Sequence, residues 1–232
     1  GDEFDTDPFV RFMDALAASG APVSFLEANT ISKPCAIAGY LNYAPTVTRL
    51  ETRGAKSSED LARDITFALS DGVKERMKRF HSGFICPEIC TQGHGFTGLA
   101  EVSLQLRLLP GGEWWSAENG PTTSVERLSL RVDVTHPLPP ETNFATRFPN
   151  LKQLHIECWQ SPVSLLNVVP GLPPSLEKLS LGSILNATEY LQTSLADGAC
   201  PKLRHVKFSN VDDVSGVMAA VNTIERIVIT ET

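Results

Sequence analysis

The chain has 232 residues, of which 42% are hydrophobic, so it is long enough to bury a substantial core and has an ordinary globular composition. Its formal net charge is −7, and a uniformly acidic chain would be a poor binder of nucleic acid. No apolar run reaches the roughly 18–20 residues that span a bilayer, which argues against a membrane protein.

The chain contains an odd number of cysteines, with no spacing typical of a small disulfide-bonded domain. Disulfides persist mainly in oxidising compartments, so this usage favours a reducing one. We therefore expect an intracellular protein, in the cytoplasm or the nucleus. The cysteines are Cys35, Cys86, Cys90, Cys158 and Cys200.

The first predicted element is a helix near the start of the chain. Asp7 is a good N-cap and Pro8 fits the first helical position, because the amide proton that proline lacks has no partner there. An apolar stripe follows at helical spacing, and Gly20 is a typical helix end. These signals predict a helix from Pro8 to the residue before Gly20.

A short phrase, apolar-x-x-apolar-x-apolar, then recurs nine times along the chain. Because side chains alternate between the two faces of a strand, the fourth and sixth positions of each phrase would point together into a core. Strands that recur about every 25 residues can bury together what one strand cannot bury alone, so the pattern predicts a continuous parallel sheet. The phrases begin at Val23, Val47, Met77, Leu99, Val125, Leu151, Leu176, Leu203 and Ile224.

Between the phrases, the chain would return through helices and loops. One helix is predicted to be capped by Ser57 and stopped by Gly72. Another is predicted over residues 186–196, and a shorter one over residues 213–221. Residues 110–123 and 135–148, which together are rich in Gly, Pro and Thr, are predicted loops or single turns.

The repeated phrase resembles the leucine-rich repeat family, most closely its ribonuclease-inhibitor-like and F-box-associated types. Proline stands two residues before four of the phrases, and the resemblance covers nearly the whole chain. It implies an α/β solenoid, a horseshoe with about nine parallel strands on the concave side and helices and loops on the convex side. Residues 1–232 would form a single leucine-rich-repeat domain. We expect it to be a fragment of a longer protein, because neither end has the polar cap of a repeat array.

The third, fifth and seventh positions of each phrase would form the outward face of the sheet. This face carries eight basic and four acidic residues in an otherwise acidic chain, which predicts an acidic protein partner. It has almost no aromatic residues to stack bases, which disfavours nucleic acid. The alternative is an ordinary solvated face with arginines paired to neighbouring glutamates. The candidate partner-binding residues are Arg49, Arg79, Arg127, Arg131, His155, Lys178, His205, Lys207 and Arg226.

Trp114 and Trp115 are further candidates for partner binding. They lie in a loop rich in Gly and Pro, where full burial of both rings is not expected. Tryptophan is enriched at interface hot spots, so the pair would anchor a partner. Alternatively, the two rings cover one edge of the core.

The sequence predicts neither a cofactor nor catalysis. His81, Cys86, Cys90 and His94 are zinc-ligating residue types, but their spacing is loose, and we favour a return loop without metal. No phosphate-binding glycine loop, dinucleotide fingerprint, zinc-protease motif or nucleophile elbow occurs. We therefore expect no catalytic residue and no enzyme.

These features favour a non-catalytic recognition or scaffold module that binds an acidic surface or segment of another protein through a basic concave face. The usual role of the family that the chain resembles, protein–protein interaction, implies the same. Two alternatives stay open. One is a structural subunit of a large assembly, and the other is the substrate-recognition part of an F-box-type ubiquitin ligase.

Overall fold

The computed structural model of the protein describes most of the repeated phrases and part of the connections between them. The described residues are 8–28, 34–44, 46–52, 69–82, 96–106, 123–132, 143–158, 163–164, 171–185, 191–192, 195, 198–210 and 224–230.

Nine parallel strands form one open sheet, and their order in the sheet is their order in the chain. This confirms the predicted continuous parallel sheet and is consistent with an α/β solenoid. A separate pair of short parallel strands is formed by β7 (Val163–Ser164) and β9 (Ile184–Leu185). The strands of the large sheet are β1 (Phe25–Ala28), β2 (Arg49–Thr52), β3 (Arg79–Ser82), β4 (Glu101–Leu106), β5 (Arg127–Val132), β6 (Gln153–Cys158), β8 (Lys178–Gly182), β10 (His205–Ser209) and β11 (Arg226–Thr230).

Every strand of the large sheet begins two residues after the first apolar residue of a phrase. Val125, for example, precedes β5, and Leu203 precedes β10 by the same interval. Neighbouring strands pair with equivalent phrase positions opposite each other, as where Gln153 lies between Arg127 and Lys178. Because a slip of one residue would exchange the two faces, this register fixes which side chains point outward.

The same backbone hydrogen bonds join each phrase to the next at eight successive junctions. The carbonyl of the second residue in one phrase accepts from the N–H groups of the second and third residues of the following phrase. The Glu126 carbonyl, for example, accepts from Lys152 N at 2.8 Å and from Gln153 N at 3.0 Å. The ladder is therefore regular at the start of each strand.

The inner face of the sheet contributes to one continuous hydrophobic core. Residues at the fourth phrase position are buried from the second phrase to the eighth, as the alternation predicts, and so are the residues at the first position, which precede the strands. Removing a leucine side chain from water stabilises the fold by about 1.5–3 kcal/mol. The buried residues at equivalent positions of successive phrases therefore account for much of the free energy that favours folding. The buried fourth-position residues are Leu50, Phe80, Val102, Leu128, Leu154, Leu179 and Val206.

The described helices pack against this core. They are α1 (Pro8–Ala18), α2 (Pro34–Tyr43), α3 (Asp71–Arg76) and α4 (Phe144–Arg147). Helix α1 confirms the first predicted element, and α4 is a single turn within the predicted loop over residues 135–148. Leu191, Gln192 and Leu195 are helical, as predicted for residues 186–196. The predicted helix over residues 213–221 lies outside the described residues.

The prediction that Gly72 ends a helix is wrong. Gly72 is the second residue of α3, and the extended residue Ser70 occupies the N-cap position before it. The buried side chains of Val73 and Met77 anchor this turn, and a glycine in the first turn leaves their packing intact. The remainder of the helix predicted from Ser57 lies outside the described residues.

Candidate functional site

A cavity of about 450 Å³ lies on the outward face of the large sheet, above its last six strands, β4, β5, β6, β8, β10 and β11. The register places the third and fifth positions of six successive strands side by side, and these two rows supply the polar lining. The polar residues that line the cavity are Glu101, Ser103, Arg127, Ser129, Gln153, His155, Lys178, Ser180, His205, Lys207 and Arg226.

The structure brings six of the predicted residues together around this cavity. Three others, Arg49, Arg79 and Arg131, lie on the outward face but do not line it. Trp114 and Trp115 lie outside the described residues, as does Arg53, one of the eight basic residues counted on this face. The six lining residues are Arg127, His155, Lys178, His205, Lys207 and Arg226.

Glu101 pairs with an arginine on each side of it. One oxygen of its carboxylate, Oε2, lies 3.3 Å from Arg79 Nε and 3.2 Å from Arg127 Nη1. The cause is the register, which places these three residues at equivalent positions of β3, β4 and β5. All three side chains are partly exposed, so each pair adds only a few tenths to about 1 kcal/mol of stability. The two arginines nevertheless have a local counter-charge.

The two other arginines that face outward from β1 to β6, Arg49 and Arg131, are also paired with glutamates. Arg49 Nη2 lies 3.3 Å from Oε2 of the buried Glu51, and its Cζ atom lies 4.4 Å from the centre of the Phe25 ring. Arg131 Nε lies 3.0 Å from Glu157 Oε2 on the adjacent strand. The alternative reading, that arginines pair with neighbouring glutamates, therefore describes these four arginines correctly.

The last three strands of the sheet differ from the first six. Strands β1 to β6 carry four arginines and four glutamates, so their charges cancel. Strands β8, β10 and β11 carry Lys178, Lys207 and Arg226 and no acidic residue. Within the described part of the chain, these three exposed cations form no ion pair. The positive charge of the outward face is therefore concentrated at one end of the cavity.

Small side chains form the floor of the cavity. Ser103, Ser129 and Ser180 occupy the fifth phrase position, where longer residues would fill the space. The register places His155 between Ser129 and Ser180, and Ser180 between His155 and Lys207. These serines stand in the same alternating pattern as the charged residues, but neither charge nor a motif marks them in the sequence as parts of a site.

His155 is the half-buried imidazole of this floor. Burial lowers its pKa, the neighbouring Lys207 and Arg131 lower it further, and Glu157 opposes them with a smaller effect than burial. The ring is therefore mainly neutral near pH 7, with one nitrogen that donates and one that accepts a hydrogen bond. His205 lies directly between Lys178 and Arg226 in the register.

Charges alternate along the edge where the strands begin. Lys152 Nζ lies 2.7 Å from Glu126 Oε1, and Arg204 Nε lies 3.3 Å from Glu225 Oε1. The hydrogen bond and the charge of Glu126 raise the pKa of Lys152, and Glu177 adds to the effect. This edge is balanced in charge, which contrasts with the cationic end of the cavity.

The described residues contain no group of three or more His, Cys, Asp and Glu side chains placed to hold a metal ion. Of the four zinc-type residues, only His81 is described, at an exposed position of β3, and Cys86, Cys90 and His94 lie outside the described residues. No helix in the described ranges is long and apolar enough to cross a membrane.

Comparison with known proteins gives no independent assignment. No protein-family model matches the chain, and no curated protein matches its sequence. The function is therefore argued from the geometry and the charges of the outward face.

Proposed function

We propose that the chain is a non-catalytic recognition module of the leucine-rich-repeat type, which binds an acidic surface or segment of another protein through its outward face. The observation that carries the proposal is the cluster of Lys178, Lys207 and Arg226 beside a cavity, for which the described residues supply no counter-charge. Complementary charge of this kind steers association and fixes the orientation of a partner.

The distribution of ion pairs supports a specific location for the contact. To bind an acidic group, Arg127 would have to share or leave the carboxylate of Glu101, which offsets much of the gain. Lys178 and Lys207 have no such contact to lose among the described residues, and there they need only shed water. Binding would therefore concentrate on β8, β10 and β11, with the remaining outward-facing arginines in a minor role.

The repeat architecture supports the family part of the proposal. Nine strands follow nine phrases in order, and identical hydrogen bonds join successive phrases. A curved horseshoe formed by a single domain over residues 1–232 is the arrangement that the family resemblance implies. Cys158 and Cys200 are buried cysteines outside any disulfide bond, which suits an intracellular protein.

A capture experiment with matched charge reversals tests the proposal. Lys178→Glu/Lys207→Glu reverses two charges on the outward face, and Lys78→Glu/Lys202→Glu reverses two exposed lysines outside the cavity. Proteins retained from native lysate would be compared at low and high salt, with circular dichroism as the check on folding. We expect a salt-sensitive partner that the first variant loses and the second retains. Equal retention by both variants would contradict the proposal.

Two exposed aromatic rings favour a second candidate function, that of an assembly subunit. Phe12 on α1 is 61% exposed and Tyr43 on α2 is 80% exposed, and these two helices pack against each other. Large exposed rings are typical docking residues. A Phe12→Ser/Tyr43→Ser variant that loses the captured partner, where the double lysine variant retains it, would favour this candidate. The F-box-type alternative stays a prediction.

A further inference from the structure

The side chains at the cationic end of the cavity surround one position above the central strand β10. This strand carries His205 and Lys207, and it pairs Lys178 on one side and Arg226 on the other with His205. Neighbouring strands are about 4.8 Å apart, and alternate residues along a strand are about 7 Å apart. The Cα atoms of the three cations therefore lie within about 10 Å of one another, close enough for long side chains to reach a common group.

The positive charges of these three side chains are not balanced by carboxylates of the described strands. Like charges at such separations repel one another, and in the described residues of β8, β10 and β11 no carboxylate relieves the repulsion. On β2 to β5, by contrast, each outward-facing arginine has a glutamate partner. A bound anion above β10 would supply the missing counter-charge.

The donors around this position suit a phosphate group better than a carboxylate. Two ammonium groups, one guanidinium, the His205 imidazole and the Ser180 hydroxyl border the site, which we call the basic pocket. A carboxylate offers two oxygens and a single charge, whereas a phosphate monoester offers three oxygens and nearly two charges. Arginine in addition binds phosphate through two parallel hydrogen bonds.

The remainder of the cavity is shaped for a chain attached to that group. From β11 to β4 the cavity crosses five strand spacings, about 24 Å, which matches about seven residues of extended polypeptide. Beyond the basic pocket, the polar lining consists of Ser103, Ser129, Gln153 and His155, together with Arg127, which is already paired with Glu101. Uncharged residues fit this half because it presents no unpaired charge in the described strands.

We propose that the basic pocket binds a phosphorylated serine or threonine of an extended protein segment, with the uncharged flank of the segment lying over Ser129 and Ser103. The inference rests on the proposed function, because it names the acidic feature that the outward face recognises. It predicts a segment with its phosphate near one end. The uneven charge of the cavity would then fix which end of the segment lies over β10.

Fluorescence polarisation with three matched peptide libraries tests this inference. The full chain would be titrated against labelled peptides of about seven residues, with degenerate uncharged flanks and a fixed phosphoserine, glutamate or serine at one position. We expect the phosphoserine library to bind at least about tenfold more tightly than the other two. Lys207→Glu should lose at least tenfold in this affinity, whereas the matched exposed lysine variant Lys202→Glu should keep it. Thermal melts would confirm that both variants are folded.

The outcomes separate this inference from the proposed function. Equal affinity for the phosphoserine and glutamate libraries would overturn the phosphate assignment and leave an acidic partner in place. An equal loss in Lys202→Glu would overturn the basic pocket, because it would show attraction to net charge alone. Failure of every library, while Lys178→Glu/Lys207→Glu still loses the captured partner, would overturn only the inference. Retention of the partner by that double variant would refute the proposed function itself.

Discussion

Replacing Arg76 with alanine tests how the first repeats are held together. The Arg76 guanidinium donates to three backbone carbonyls: to Leu41, to Ala44 at 2.8 Å from Nη2, and to Val47 at 3.3 Å from Nε. Two of these carbonyls belong to the end of α2 and the residue after it, where the helix leaves carbonyl groups without internal partners. One side chain on α3 therefore joins α2 to the start of the next strand.

The size of the effect follows from the burial of these groups. Leu41, Ala44 and Val47 are buried residues, and burial lowers the pKa of Arg76, which still remains charged. A hydrogen bond from a charged donor contributes about 1.5–3 kcal/mol, but the guanidinium is partly exposed and its contacts are not additive. We expect Arg76→Ala to lower the free energy of unfolding by about 2–4 kcal/mol, and Arg76→Lys to lower it by about half as much.

Urea denaturation followed by circular dichroism would measure both values. Lys202→Ala is the matched control, because Lys202 is exposed and its loss should change stability by less than about 0.5 kcal/mol. If Arg76→Ala also changes stability by less than about 0.5 kcal/mol, or if Arg76→Lys costs nothing, the three carbonyl contacts do not hold α2 in place.

Three further predictions concern a glycine, a thiol and a histidine. Gly98→Ala should lower the free energy of unfolding measured in urea by about 1–3 kcal/mol, because a Cβ atom there would collide with the carbonyl oxygen of Glu75. A smaller loss would show that this close approach relaxes freely. Burial raises the pKa of the Cys200 thiol to about 11, so peptide-resolved alkylation near pH 8 should be slow in the native state and fast in urea, and rapid native labelling would contradict this burial. Burial lowers the pKa of His155 in the folded chain, so below about pH 6.5 the unfolded chain binds more protons than the folded chain does. The free energy of unfolding therefore decreases as the pH falls through this range. His155→Gln should reduce the loss of stability between about pH 7 and pH 5, and an unchanged pH dependence would contradict the cause given for the shift.

The positions of the strands could be predicted because the burial requirement is local and periodic. A row such as Leu128, Leu154 and Leu179 satisfies both the alternation of a strand and the spacing of a repeat, and few other arrangements bury it. Helix α2 (Pro34–Tyr43) was missed although Ile37, Tyr40 and Leu41, which are buried, stand at helical spacing in the sequence. Lys33 before it is not a preferred N-cap, so its start is marked only by Pro34 at the first helical position.

The charged face could be predicted only as a list of residues. Counting charges along the phrases indicated a basic surface, but a count treats Arg127 and Lys178 as equivalent. The structure separates them, because Glu101 lies between Arg79 and Arg127, whereas Lys178 has no acidic neighbour among the described strand residues. The cavity itself depends on side-chain size and direction across six strands, and no single phrase contains that information.

In the function proposed above, the acidic partner binds the cations that have no counter-charge among the described residues, and not the paired arginines. Lys178→Gln and Arg127→Gln each remove one positive charge at the same phrase position, two strands apart on the same sheet. We would measure the affinity of both variants and of the wild-type chain for the captured partner. We expect a loss of at least about tenfold for Lys178→Gln and of less than about threefold for Arg127→Gln. Equal losses, or a larger loss for Arg127→Gln, would contradict the proposal.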